Sequence, residues 1–112
     1  MPKEPALLER IAALAGFGQY RVRLHAVRHM VEEGFDERNI IEVLTGRGRK
    51  VLEEYPEQHR CLVLGSCALG RKTRLHLHIV CDLSDEEVLD IVTAYIPQPP
   101  WWMTPSRRGQ GR

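Results

Sequence analysis

Four of the five histidines stand in two closely spaced pairs, His25/His29 and His76/His78. The first spacing puts both rings on one face of a helix, the second on one face of a strand. Imidazole can give or take a proton near neutrality. Arg28 and Arg74 adjoin the two pairs, and a guanidinium fork suits the oxygens of a phosphate. Tyr95 adds a hydroxyl. A base, an acid and fixed cations are what attack at phosphorus requires. His78 with His25 is the pair expected to move protons, with Arg74 as the clamp and Tyr95 as a hydroxyl donor. A plainer role is open for each. The two imidazoles could tie a helix to the sheet, Tyr95 could pack at a strand end, and Arg74 could be solvated.

Other chemistries find less support. The helical pair reads His-Ala-Val-Arg-His, without the carboxylate of a HExxH metal site, and Arg28 and Arg74 would repel a dication. No metal and no cofactor are expected. Gly16-Phe-Gly18 and Gly46-Arg-Gly48 lack the context of a phosphate loop, and no serine sits in a nucleophile elbow. Cys61, Cys67 and Cys81 form no CxxC pair and lie among Leu, Val and Ile, so they read as buried free thiols in a reducing compartment.

The net charge is only +1, which argues against a dedicated duplex-DNA binder. The basic residues are clustered, however. Arg47, Arg49 and Lys50, with Arg28 and Arg74, are the candidates for contact with nucleic-acid phosphates. With 43% hydrophobic and 28% charged residues in 112, the composition is that of one globular domain. No apolar run is long enough for a bilayer, and the start MPKEPALLER is no secretory signal, so a cytoplasmic protein without membrane contact is expected.

These side chains need elements to hold them. Apolar periodicity predicts helices over about 4–15, 24–33 and 36–45. The second is expected to bury Leu24, Val27, Met30 and Val31, with Gly34 as its C-cap. Asp36 caps the third, and Phe35 can staple onto Ile40. Strands follow over about 49–55, 60–65, 73–81 and 88–96, joined by links short enough for antiparallel hairpins. In the third of these, Leu75, Leu77, Ile79 and Cys81 share one face and Arg74, His76, His78 and Val80 the other. The fold class expected is α+β, with N-terminal helices packed on a four-stranded antiparallel sheet across residues 1–102. Trp101 and Trp102 follow a proline run; they either fold back over the core or form a partner-docking patch. Residues 103–112 read as a flexible basic tail.

His25-Ala26-Val27-Arg28-His29-Met30, Glu33-Gly34-Phe35, Tyr55-Pro56, Leu77-His78-Ile79-Val80 and Thr93-x-Tyr95-x-Pro97, taken in order, resemble a family of small prokaryotic domains of unassigned function that looks related to the RelE/ParE/BrnT-like toxins. The likeness covers about residues 20–102. It implies a RelE/BrnT-like fold and a ribonuclease or another toxin directed at translation or replication; together with the histidines and arginines, the expectation is RNA cleavage by 2′-hydroxyl attack without a metal. RNA, a nearby-encoded antitoxin and a second copy of the chain are the partners that follow. The alternative is a non-catalytic protein-binding module of the same shape. Two positions depart from the pattern: His29 stands where the family has Arg before Met, and Glu33 where it has Arg before Gly.

Overall fold

The computed structural model describes residues 4–99 and 102–109. Helices pack against one face of a mixed five-stranded sheet, an α+β arrangement. The elements are α1 (Glu4–Gly16), β1 (Tyr20–Val22), α2 (Leu24–Glu33), α3 (Glu37–Thr45), β2 (Lys50–Tyr55), β3 (Arg60–Leu69), β4 (Thr73–Asp82), β5 (Leu89–Tyr95), β6 (Trp102–Thr104) and β7 (Arg107–Arg108). A single 3-10 turn, Pro56–Gln58, joins β2 to β3.

The sheet runs β1-β5-β4-β3-β2. Its four long strands are antiparallel, as their short links require. The fifth strand corrects the expectation of four. Tyr20–Val22, outside every strand expected from sequence, pairs parallel to Leu89–Ile91 at the sheet edge. Arg21 locks this register by donating from Nε and Nη2 to the two oxygens of Asp90, each at 3.0 Å.

β3 is also longer than expected. It pairs with β4 from Arg60↔Asp82 to Leu69↔Thr73, so the strand runs on past Gly65, its expected end, through Leu69. Gly65 is there because α3 lies so close. A Cβ at that position would sit 2.7 Å from Val43 Cγ1 and 3.3 Å from the Val43 carbonyl oxygen.

The helix-facing side of the sheet supplies Cys61, Val63, Cys67, Leu77, Ile79 and Cys81 to a core completed by Ile11, Ile40, Val43 and Leu44. Asp36 caps α3 by accepting from Asn39 N at 3.2 Å, while Asn39 Oδ1 accepts from Asp36 N at 2.9 Å. Gly34 takes the left-handed conformation that ends α2.

α2 differs most from its sequence reading. Only Ala26 is buried on it; Leu24 and Val31 are 70% and 79% exposed, and Val27 is also exposed. The helix rests on β5 through its Ala26 side. That contact turns the Leu/Val stripe outward and the His29 side toward the end of β5.

The second face of the sheet is covered as well. β6 and β7 form a hairpin, Trp102↔Arg108 and Thr104↔Arg107, in the segment expected to be a flexible tail. Trp102 is buried, and beneath the hairpin Leu62, Leu64 and His78 are buried too. The segment is ordered by contacts that no local pattern announces, chiefly the paired bonds of Arg108 to Glu53 at 2.6 and 2.8 Å. Among the described residues, no helix is long and apolar enough to cross a membrane.

Candidate functional site

His78 lies on β4 directly opposite Tyr95 of β5. Its Nε2 is 2.5 Å from the Pro105 carbonyl oxygen, so Nε2 carries the proton and donates. Nδ1 is then an acceptor, and the Tyr95 hydroxyl donates to it at 3.2 Å. The Trp102 ring stands edge-on at 4.2 Å. The side chain is fully buried, and burial holds its pKa below the ordinary 6.5. Both nitrogens are engaged and substrate cannot reach either. The expectation of His78 as an accessible proton carrier therefore does not fit this arrangement, because the hairpin seals the strand face that sequence left open.

His25 is exposed on α2 and makes no hydrogen bond to His78. It stands next to His29, ring centroids 5.1 Å apart and nearly perpendicular. His29 lies 6.0 Å from the Tyr95 ring, and Tyr95 5.2 Å from His78. The four rings thus form a chain from solvent into the sealed interior. Burial raises the Tyr95 phenol above its ordinary 10.0.

His29 and Tyr95 of this chain open into a groove of about 480 Å³ between α2, the end of β5 and the hairpin, lined also by Glu33, Gln98, Trp102 and Arg108. His29 Nδ1 is 2.5 Å from Glu33 Oε2. The other carboxylate oxygen, Oε1, accepts from Ile96 N at 2.7 Å, which fixes the Glu33 side chain between α2 and the strand end. A carboxylate on Nδ1 sets the tautomer and leaves Nε2 as the proton acceptor. His29 and Glu33 are the two positions at which the sequence departs from the pattern it resembles. They form one pair. Their i,i+4 spacing on a helix was the signal for it.

Arg108 forms the opposite rim. It is paired with Glu53 and stacked 4.7 Å over the Trp102 ring. The hydrogen bond from Arg108 holds the Glu53 carboxyl below its ordinary value. No spacing links Glu53 to Arg108, so sequence reading had no route to them.

The proposed phosphate contacts fall in two places. Arg28 is exposed on α2. Arg47 and Lys50 line a second groove beside His76, and Arg74 donates to the neighbouring Ser66 Oγ at 2.8 Å. Arg49 is half-buried, donating to the Gly46 carbonyl at 2.8 Å. Of the two residues considered for partner docking, Trp102 is buried against His78 and beneath Arg108, and Trp101 lies outside the described residues. Among the described residues, no group of three or more His, Cys, Asp and Glu could hold a metal ion.

No curated protein and no solved structure matches the chain. Residues 22–96, from the end of β1 through β5, match the family described as Domain of unknown function (DUF4258). The match takes in His25, His29, Glu33, His78 and Tyr95 and stops short of the hairpin. The chain belongs to the DUF4258 family.

Proposed function

We propose that this protein is a toxin-like, metal-independent endoribonuclease, related to the RelE/ParE/BrnT-like toxins, whose working groove lies between α2 and the C-terminal hairpin. One observation carries the reading: an imidazole fixed by a carboxylate, His29 on Glu33, in an open groove, with a second imidazole, His25, exposed beside it. In this reading His29 Nε2 takes the proton of a 2′-hydroxyl. The 2′-oxygen attacks phosphorus, and the 5′-oxygen departs with a proton from His25, leaving a 2′,3′-cyclic phosphate. Glu33 orients the base throughout, and Arg28 supplies positive charge from the same helix. His78 and Tyr95 hold the wall of the groove. An RNA-cleaving toxin would act in the cytoplasm and would be held in check by an antitoxin encoded nearby.

The sealed state of His78 favours a second reading, a non-catalytic binding module in which the histidines are structural. Expression in cells, with growth and RNA integrity followed, separates the two. Wild type should slow growth and fragment RNA. His29→Ala should lower cleavage by the purified protein by a factor of about 10²–10⁴, the usual worth of a general base. Intact RNA with wild-type protein rejects the enzyme and leaves the binding module.

A further inference from the structure

The second groove, about 380 Å³, meets the turn of the hairpin rather than its base and shares no lining residue with the groove of the histidine–glutamate pair. It runs between the α3–β2 turn, the outer face of β3 and β4, and residues 104–106. Its polar side chains are Arg47, Lys50, Ser66, His76, Thr104 and Ser106, and no carboxylate lines it among the described residues. Every one of these groups can donate a hydrogen bond, and two are permanent cations. In a chain of net charge +1, a groove with this lining is a concentration of positive charge rather than a sample of the average surface.

Its walls are anchored by groups that do not line it. Arg49 holds the α3–β2 turn through the Gly46 carbonyl at 2.8 Å, and His78 holds the hairpin turn through the Pro105 carbonyl at 2.5 Å. Arg74 donates to Ser66 Oγ. The Ser66 hydroxyl thereby accepts from a cation and keeps its own proton for an outside acceptor. A preformed set of donors and cations of this kind fits an anion with several oxygens, and its size is that of a small-ligand site.

We infer that this groove binds the phosphodiester backbone of an RNA strand, with Arg47 and Lys50 as the charge contacts and Ser66 and His76 as hydrogen-bond donors. The inference takes RNA as the ligand from the proposed function and assigns the strand a track separate from the cleavage groove. It also gives His78 a purpose that its burial leaves open: the imidazole positions the loop that closes this track.

The test uses the full-length protein and a single-stranded 2′-O-methyl RNA of about 12 nucleotides, a length that one small domain can cover. Methylation blocks 2′-hydroxyl attack, so binding is read without cleavage. For wild type, affinity should fall steeply with salt. The exposed pair Arg47→Gln/Lys50→Gln should make the slope of log affinity against log salt shallower by about 1.4, or about 0.7 for each single-strand phosphate that no longer meets a cation. Arg71→Gln/Lys72→Gln, an equal reduction of charge in the exposed β3–β4 turn, should leave the slope unchanged. An unchanged slope in the first variant, an equal change in the second, or no binding by wild type overturns the assignment. Cleavage of ordinary RNA with no slope change leaves the enzyme standing without this track. A slope change with no cleavage leaves the track standing without the enzyme.

Discussion

His78 is the residue whose chemistry depends most on its surroundings. A neutral imidazole donating to Pro105 and accepting from Tyr95 satisfies both of its buried nitrogens and the two groups they meet. Truncation to alanine leaves a carbonyl and a hydroxyl without partners and opens a void, so His78→Ala should lower unfolding free energy by on the order of 3 kcal/mol, measured by urea denaturation. The pH dependence has a definite sign. Burial depresses the folded-state pKa below 6.5, so below that pH the unfolded chain binds a proton that the folded protein refuses. Stability is then full above about pH 6.5 and declines as pH falls, until the folded-state pKa is passed. Urea midpoints measured between about pH 5 and about pH 8 should show this decline in wild type and a flatter profile in His78→Ala. The same decline in both proteins would assign it to other groups.

At the scale of elements, the close approach of α3 to β3 decides which residue can stand at position 65. Gly65, the last residue of its expected strand, sits in mid-strand beneath Val43. Gly65→Ala would normally favour a strand. Here its methyl meets Val43 Cγ1 at 2.7 Å, so it should destabilise the protein by about 1–3 kcal/mol in thermal or urea unfolding. A neutral or stabilising result would mean that α3 gives way freely. α2 shows the converse. Its Leu/Val stripe has the period of a buried face, but Ala26 permits the closest approach to β5, and the stripe faces outward. That orientation brings His29 and Glu33 to the groove. The hairpin is held largely by polar links, from Arg108 to Glu53 and from His78 to Pro105, together with buried Trp102.

At the scale of the whole molecule, the three thiols report on the core. Cys61 and Cys81 are register partners on β3 and β4, and Cys67 lies further along β3; all are buried. Contact with the Cys61 thiol, and then burial, hold the Cys81 thiol well above its ordinary 9.0, and burial raises Cys67. A thiol reagent should therefore leave the native protein unlabelled and react with all three cysteines only after unfolding, at a rate set by global opening. Rapid labelling of the native protein would show that β3 and β4 separate locally. Their ten-residue pairing argues that they do not.

The helices, the four long strands, the α3 cap and the apolar face of β4 were legible from residue order, because period, capping and short links are local properties of the chain. Three features were decided only in three dimensions. β1 is three residues long and its parallel partner is distant in sequence, so no local pattern marks it as a strand. Which side of α2 is buried depends on what it packs against. Of the two imidazoles that flank Tyr95, His29 is accessible and His78 is not, because a distant hairpin, closed by Arg108 on Glu53, covers one ring and leaves the other in a groove. Residue types specify which protons and charges are on hand, but solvent access and long-range partners determine which of them can act.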